Sequence, residues 1–304
     1  MAIITPALLS ALKTGFMKQF QDGLASAESA WNKIATEINS TTASNTYGWL
    51  GQFPTFREWV GDRVIKDMAA QGYQITNKLW ESTVGVARTD IEDDNLGIYS
   101  PLFTEMGRAA GVQPDELVFA LLKAGNSTLC YDGQYFFDTD HPVYPNVDGT
   151  GTAGTVSNND VPGVDPQTPW YLLDTSRSLK PLIFQRRTQP ELQALTSADD
   201  EAVFTSDTYR YGVRSRCNVG FGFWQMAHRS QQALDATSFN AAVQAMQERH
   251  ADGGRPLGIR PTLLVVPPSL RAAALEVVKA ERLANGATNV NREMVDVLVS
   301  PWVM

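Results

Sequence analysis

Apolar residues recur at helical spacing at the start of this chain and at alternating spacing a little later. Thr5 followed by Pro6 supplies a capping hydroxyl and then a proline at the first helical position. Leu9, Leu12, Phe16 and Phe20 then fall on one helical face. A second helix is predicted around Trp31, Ile34 and Ile38, broken by the polar run NSTTASN at 39–45. From Tyr47 to Asp67 the chain is aromatic and punctuated by glycine, with strand-like pieces around Trp59 and Val64. Gly72 predicts a turn, and a strand follows from Tyr73 to Arg88. Its alternation is imperfect: Tyr73, Ile75 and Leu79 share one face while Trp80, Val84 and Val86 share the other, and neither face is wholly polar. A hairpin with apolar groups on both sides cannot bury them alone. It must lie against another lobe of its own chain or against a neighbouring subunit.

Beyond an acidic corner at Asp90, Glu92, Asp93 and Asp94, the pair Ser100-Pro101 predicts a helix that Gly111 closes, and Pro114-Asp115-Glu116 predicts the start of another. Residues 145–169, rich in glycine, proline, asparagine and threonine, read as a long surface loop. Strands are expected at Leu182–Phe184 and from Tyr209 to Phe223. Further on, Ser238 is expected to cap a helix bearing Phe239, Val243 and Met246. Leu263–Val266 reads as a buried strand ended by Pro267-Pro268-Ser269, which starts a helix with Leu270, Ala274 and Val277. A closing strand is expected between Met294 and Val299.

Composition narrows the function. Of 304 residues 43% are hydrophobic and 19% charged, enough for a packed core and against global disorder. A net charge of −8 argues against a protein that grips nucleic acid through a basic face, though an acidic wall can still lie beside DNA. Two cysteines, Cys130 and Cys217, are too few for a disulfide scaffold and too far apart for a zinc knuckle. No apolar run approaches membrane-spanning length.

Four stretches, YQITNKLWESTVGVARTDIEDD at 73–94, CYDGQYFFDTDHP at 130–142, DTYRYGVRSRCNVGFGFWQMA at 207–227 and RPTLLVVPPSLRAAA at 260–274, together resemble the major head subunit of Mu-like bacteriophages. The resemblance covers most of the chain. It implies an α+β, Hong Kong 97-type capsid fold with an N-terminal arm (1–46), an extended hairpin loop (47–95), a peripheral domain (96–230) and an axial domain with a closing strand (231–304). It further implies a homo-oligomer of hexamers and pentamers, closed into an icosahedral shell around DNA without sequence-specific binding, made in the bacterial host cytoplasm and residing in the virion. The implied partners are a scaffold or maturation protease, a portal and a decoration protein. The arm begins almost at Met1, so a separate scaffold protein is expected. Nothing in the chain carries the lysine–asparagine cross-linking of the type member.

The residues expected at intersubunit contacts are Trp59, Tyr73, Ile75, Leu79, Trp80, Val84, Arg88, Asp93 and Asp94. Candidate chemistry is sparse. Asp138-Thr139-Asp140-His141 contains metal-ligand types, but one histidine followed by proline reads better as a turn. Pro267-Pro268-Ser269 has neither the glycines of a phosphate cradle nor those of a nucleophile elbow. Arg186, Arg187, Arg210, Arg214 and Arg216 read as interface ion-pairing groups. No cofactor or catalytic residue is expected. The alternatives are another shell or tail protein, such as an encapsulin-like compartment or a tail tube, and a metal-dependent hydrolase using Asp138 to His141.

Overall fold

A computed structural model describes residues 4–48, 50, 72–93, 96–147, 149–197, 200–282 and 286–304. Trp59, the strand-like pieces near it and Asp94 lie outside the described residues. In chain order the elements are α1 (Pro6–Ser26), α2 (Trp31–Ile34), β1 (Ala35–Asn39), β2 (Ser44–Tyr47), β3 (Tyr73–Thr76), β4 (Lys78–Ala87), α3 (Arg88–Glu92) and α4 (Tyr99–Lys123). They continue through β5 (His141–Val143), β6 (Gly154–Val156), β7 (Asn159–Asp160), β8 (Trp170–Leu173), β9 (Leu182–Leu195), α5 (Glu201–Ser206), β10 (Thr208–Phe221) and β11 (Ala227–Ser230). The last are α6 (Ala236–Gln247), β12 (Leu263–Val266), α7 (Arg271–Val278) and β13 (Asp296–Val299).

Two sheets organise the chain. The first has the order β1-β9-β10-β4, with β10 antiparallel to both neighbours and β1 parallel to β9. β10 alternates strictly: Tyr209, Tyr211, Val213, Ser215 and Cys217 are buried, while Arg210 and Arg214 are exposed. Helices α1 and α4 cover the buried face. Phe16 stacks on Phe103 with ring centroids 4.2 Å apart, and both meet the edge of Tyr211. Pro190, inside β9, falls where the register with β10 slips between Arg214 and Arg216, so the ladder loses no bond it could have made there. The second sheet has the order β13-β12-β8-β11-β7. Its central strands, WYLL and LLVV, are buried at every position, which explains their unbroken apolar runs.

Several expectations change. The predicted helix over Trp31 to Ile38 is a single turn that passes into β1, with Ile38 on the strand. Gly111 does not end a helix and Pro114 does not begin one; α4 runs unbroken for 25 residues through both. Asp235, not Ser238, caps α6; Ser238 sits at the third position and bonds back, completing a capping box. Part of the loop at 145–169 is ordered: β6 pairs with β5, and β7 joins the second sheet beside β11. That sheet therefore recruits residues 159–173 and 227–230 as well as the C-terminal strands, and the two halves of the fold interleave along the sequence.

Candidate assembly surface

The strand expected from Tyr73 to Arg88 is two strands. Asn77 separates them. Its side-chain amide donates to Ser40 Oγ (2.9 Å) and to the Thr42 carbonyl (2.9 Å), its Oδ1 accepts from Gln185 Nε2 (2.9 Å), and its N–H bonds the Ala43 carbonyl. A buried polar group with four partners fixes the bend there. Before it, β3 pairs with β2 as a two-stranded ribbon; after it, β4 joins β10 in the first sheet.

The ribbon half is tied to its own chain. Ile75 is buried at 2% exposure against Gly220, where a Cβ would lie 2.2 Å from Ile75 Cδ1. Tyr73 is half-buried, and its hydroxyl accepts from the Phe221 N–H at 2.9 Å. The other half is held by its ladder to β10 but is less covered. Leu79 is 59% exposed, and Glu81, Ser82 and Thr83 are exposed in succession although they point to alternate faces of the sheet. Trp80 is half-buried, with Nε1–H donating to the Cys217 carbonyl at 3.2 Å, and Val84 is half-buried beside the α1–α4 core.

At the corner, Arg88 pairs with Glu92 at 3.2 Å and with Asp207 at 3.7 Å, and the Tyr99 hydroxyl donates to Asp90 at 2.5 Å. Asp93 is exposed, with no ion pair among the described residues. Of the arginines, Arg186 pairs with Glu37 at 2.5 Å. On the outer face of the first sheet, Arg214 lies between Glu81 of β4 and Glu191 of β9 in register.

The segment considered for metal divides. Asp138 accepts from the Tyr135 and Thr139 N–H groups, as a turn aspartate does. His141 turns inward instead, fully buried, stacked 3.9 Å from Trp224, with Nδ1 2.7 Å from Asp132 Oδ2. Asp132 also accepts from Cys130 Sγ at 3.0 Å and from the Gln134 N–H at 3.1 Å. Burial alone would push the Asp132 carboxyl up, but the bonds from His141 and Cys130 hold it below the usual range. Cys130, Asp132 and His141 gather their ligand atoms within 4.8 Å of one another. Their separations are those of hydrogen bonds, and burial pushes the Cys130 thiol up, toward the protonated form that donates. The sequence carries this link only as a C-x-D spacing, Cys130 to Asp132, with a histidine nine residues on. A second buried pair, His228 of β11 and Arg249, sits 3.3 Å apart.

What the chain offers outward is a long strand edge beside an acidic corner, the equipment of a subunit that builds rather than reacts. Comparison with known proteins gives the class its particulars. The family model described as Mu-like prophage major head subunit gpT matches residues 9–303, and the chain belongs to that family. It is 54% identical over 295 residues to the Mu-like prophage FluMu major head subunit of Haemophilus influenzae, covering 96% of each chain, and 53% identical over 292 residues to the major capsid protein of Escherichia phage Mu, again 96% of each. Among solved structures it is similar to the procapsid of bacteriophage JBD30 (TM-score 0.87, 70% identity, covering 98% of this chain and 100% of that one) and to the JBD30 capsid (TM-score 0.78, 53% identity, 100% of each). The fold is thus the α+β capsid fold of Hong Kong 97 type, and the chain is a structural capsid subunit of a Mu-like phage head, not an enzyme. No helix among the described residues is long and apolar enough to cross a membrane.

Proposed function

We propose that copies of this chain gather into hexamers and pentamers that close an icosahedral shell around DNA, and that β4 and the corner after it form the principal contact with the next copy. The peripheral part of each subunit is built on the first sheet and its α1–α4 cover, and the axial part on the second sheet. Leu79, Trp80, Val84 and Asp93 supply the contact, with Arg88 holding the corner in shape; Trp59 and Asp94 extend it outside the described residues. Tyr73 and Ile75 serve instead to anchor the ribbon to its own subunit. A scaffold or maturation protease, a portal ring and a decoration protein complete the head. Acidic overall, the shell encloses DNA without reading its sequence.

The observation that carries this reading is the state of β4: three consecutive exposed residues and an exposed leucine on a ten-residue strand. The test is light scattering and negative-stain imaging of the purified chain, expressed with its scaffold. Closed, head-sized shells are expected; tubes, small cages or monomers only would reject the reading. In the same assay Leu79→Ser should leave a folded, soluble subunit whose yield of shells falls at least several-fold.

A further inference from the structure

Among the described residues, Cys130, Asp132 and His141 bring one ligand atom each within 4.8 Å of one another. The backbone around them explains how. Leu129 and Tyr135 bridge across a tight turn, the Cys130 N–H bonds the Gln134 carbonyl at 2.8 Å, and Gly133 makes the reversal at φ +85°. That turn brings the side chains of Cys130 and Asp132, two residues apart, into contact. His141 opens β5, whose pairing with β6 fixes its backbone, and its ring lies on Trp224 with the two planes 9° apart. All three side chains are thus held in place by the fold.

The donor set is particular. A thiol, an imidazole and a carboxylate together are ligand types of zinc and of similar borderline ions, whereas calcium and magnesium take oxygen. Thiolate and carboxylate carry two negative charges, which neutralise a dication and leave no net charge in the interior. Cys130 is 6% exposed, and the side chains of Asp132 and His141 are 7% and 0% exposed. The turn residue Gly133 is exposed, so the way in from solvent is short. Cys130 Sγ lies 3.0 Å from Asp132 Oδ1, and His141 Nδ1 lies 2.7 Å from Oδ2. A tetrahedral zinc with ligands at about 2.0 to 2.3 Å sets such pairs about 3.3 to 3.6 Å apart, so each must open by only about 0.6 Å. His141 Nε2 is buried with no hydrogen-bond partner. It is therefore open to the proton that Nδ1 gives up, while a coordinated thiol loses its own to solvent.

We propose that Cys130 Sγ, Asp132 and His141 Nδ1 bind a zinc-class divalent cation, with water in the fourth position, and that the ion rivets the loop after α4 to the second half of the fold. The loop already grips Trp224 and Gln225, which precede β11: His141 stacks on the first, and the Tyr131 hydroxyl donates to the second at 3.0 Å. The ion locks the single subunit at this joint, so the inference is independent of the assembly reading above.

The test is titration of the metal-stripped full chain with cobalt(II), whose thiolate complexes absorb in the near ultraviolet. A thiolate band saturating at one ion per chain, and lost when zinc is added, is expected. Cys217 is the other cysteine of the chain, so Cys217→Ser should keep the band and Cys130→Ser should lose it. A serine hydroxyl still donates to Asp132, so the metal-free hydrogen bonds survive that change. Zinc at a hundredfold excess over its dissociation constant should raise the thermal midpoint of the unaltered chain by about 4 °C and leave that of Cys130→Ser where it was. Absence of the band, a band that survives Cys130→Ser, or an equal zinc shift in both proteins overturns the site. If Cys130→Ser does not fold, Cys217→Ser decides alone, because Cys130 is then the one thiol left: the band supports the site and its absence removes it.

Discussion

Three glycines set the distance between the two longest helices. A Cβ on Gly23 would lie 1.9 Å from the Thr104 carbonyl oxygen, one on Gly107 2.0 Å from the Phe20 carbonyl oxygen, and one on Gly111 2.4 Å from Ala27 Cβ. Two of these obstacles are backbone, which cannot swing aside. Gly111 therefore marks a crossing where sequence pattern alone suggests a helix end; the pattern contains the glycine but not the helix that presses on it. Gly107→Ala should force α1 away from α4 and cost about 1–3 kcal/mol in chemical denaturation of the unassembled subunit. Buried charge sets a different limit. Burial, and then the Arg249 guanidinium, lower the His228 pKa to about 3. The unfolded chain then binds this proton at higher pH than the folded one, so His228's contribution is fully present above about pH 6.5 and is lost as pH falls toward 3. Thermal midpoints measured across that range should fall with acid, and His228→Gln should flatten the slope.

At the scale of elements, what was legible and what was not divide by the range of the cause. The N-cap at Thr5, the apolar face of α1 and the buried run of β12 depend on neighbours in sequence, and all were readable. Asn77 was not, because the partners that bend the chain there, Ser40, Thr42 and Gln185, lie 35 to 108 residues away. Nor was the run of α4 through Pro114. There Asp115 reaches across to accept from the Ala30 and Trp31 N–H groups at 2.7 to 3.0 Å, so its acid closes the start of α2 rather than its own helix. Asp115→Ala should leave both donors unpaired and lower stability by about 1–3 kcal/mol, measured by urea titration. The assembly surface was half legible: broken alternation pointed to the right strand, but could not tell Ile75, sealed by Gly220, from Leu79, left in the open. The Asp132 to His141 link was missed because its members are ordinary singly and meet only when the loop after α4 folds back. His141→Ala should remove the stack on Trp224 and the bond to Asp132 together, lowering the subunit's thermal midpoint while leaving its far-ultraviolet spectrum native.

For the whole molecule, the question is how an acidic chain meets copies of itself. Long-range repulsion between like-charged subunits is screened by salt within about 10 Å at 0.1 M, so contacts must be local, through strand edges and corners rather than through net charge. Asp93 is an exposed acid at the corner after β4, with no ion pair among the described residues. If it pairs with a basic group of the next copy, Asp93→Ala should weaken shells and reduce the salt dependence of their formation; shells of unchanged yield and salt sensitivity would assign Asp93 to solvent.

The interleaving of the two sheets has a consequence for timing. The first sheet takes its last strand from residues ending at Phe221, whereas the second waits for β13 at Asp296–Val299. A growing chain therefore has every strand of the sheet that holds β4 before β12 or β13 of the other is made, and the order of synthesis presents that edge before the second sheet can close.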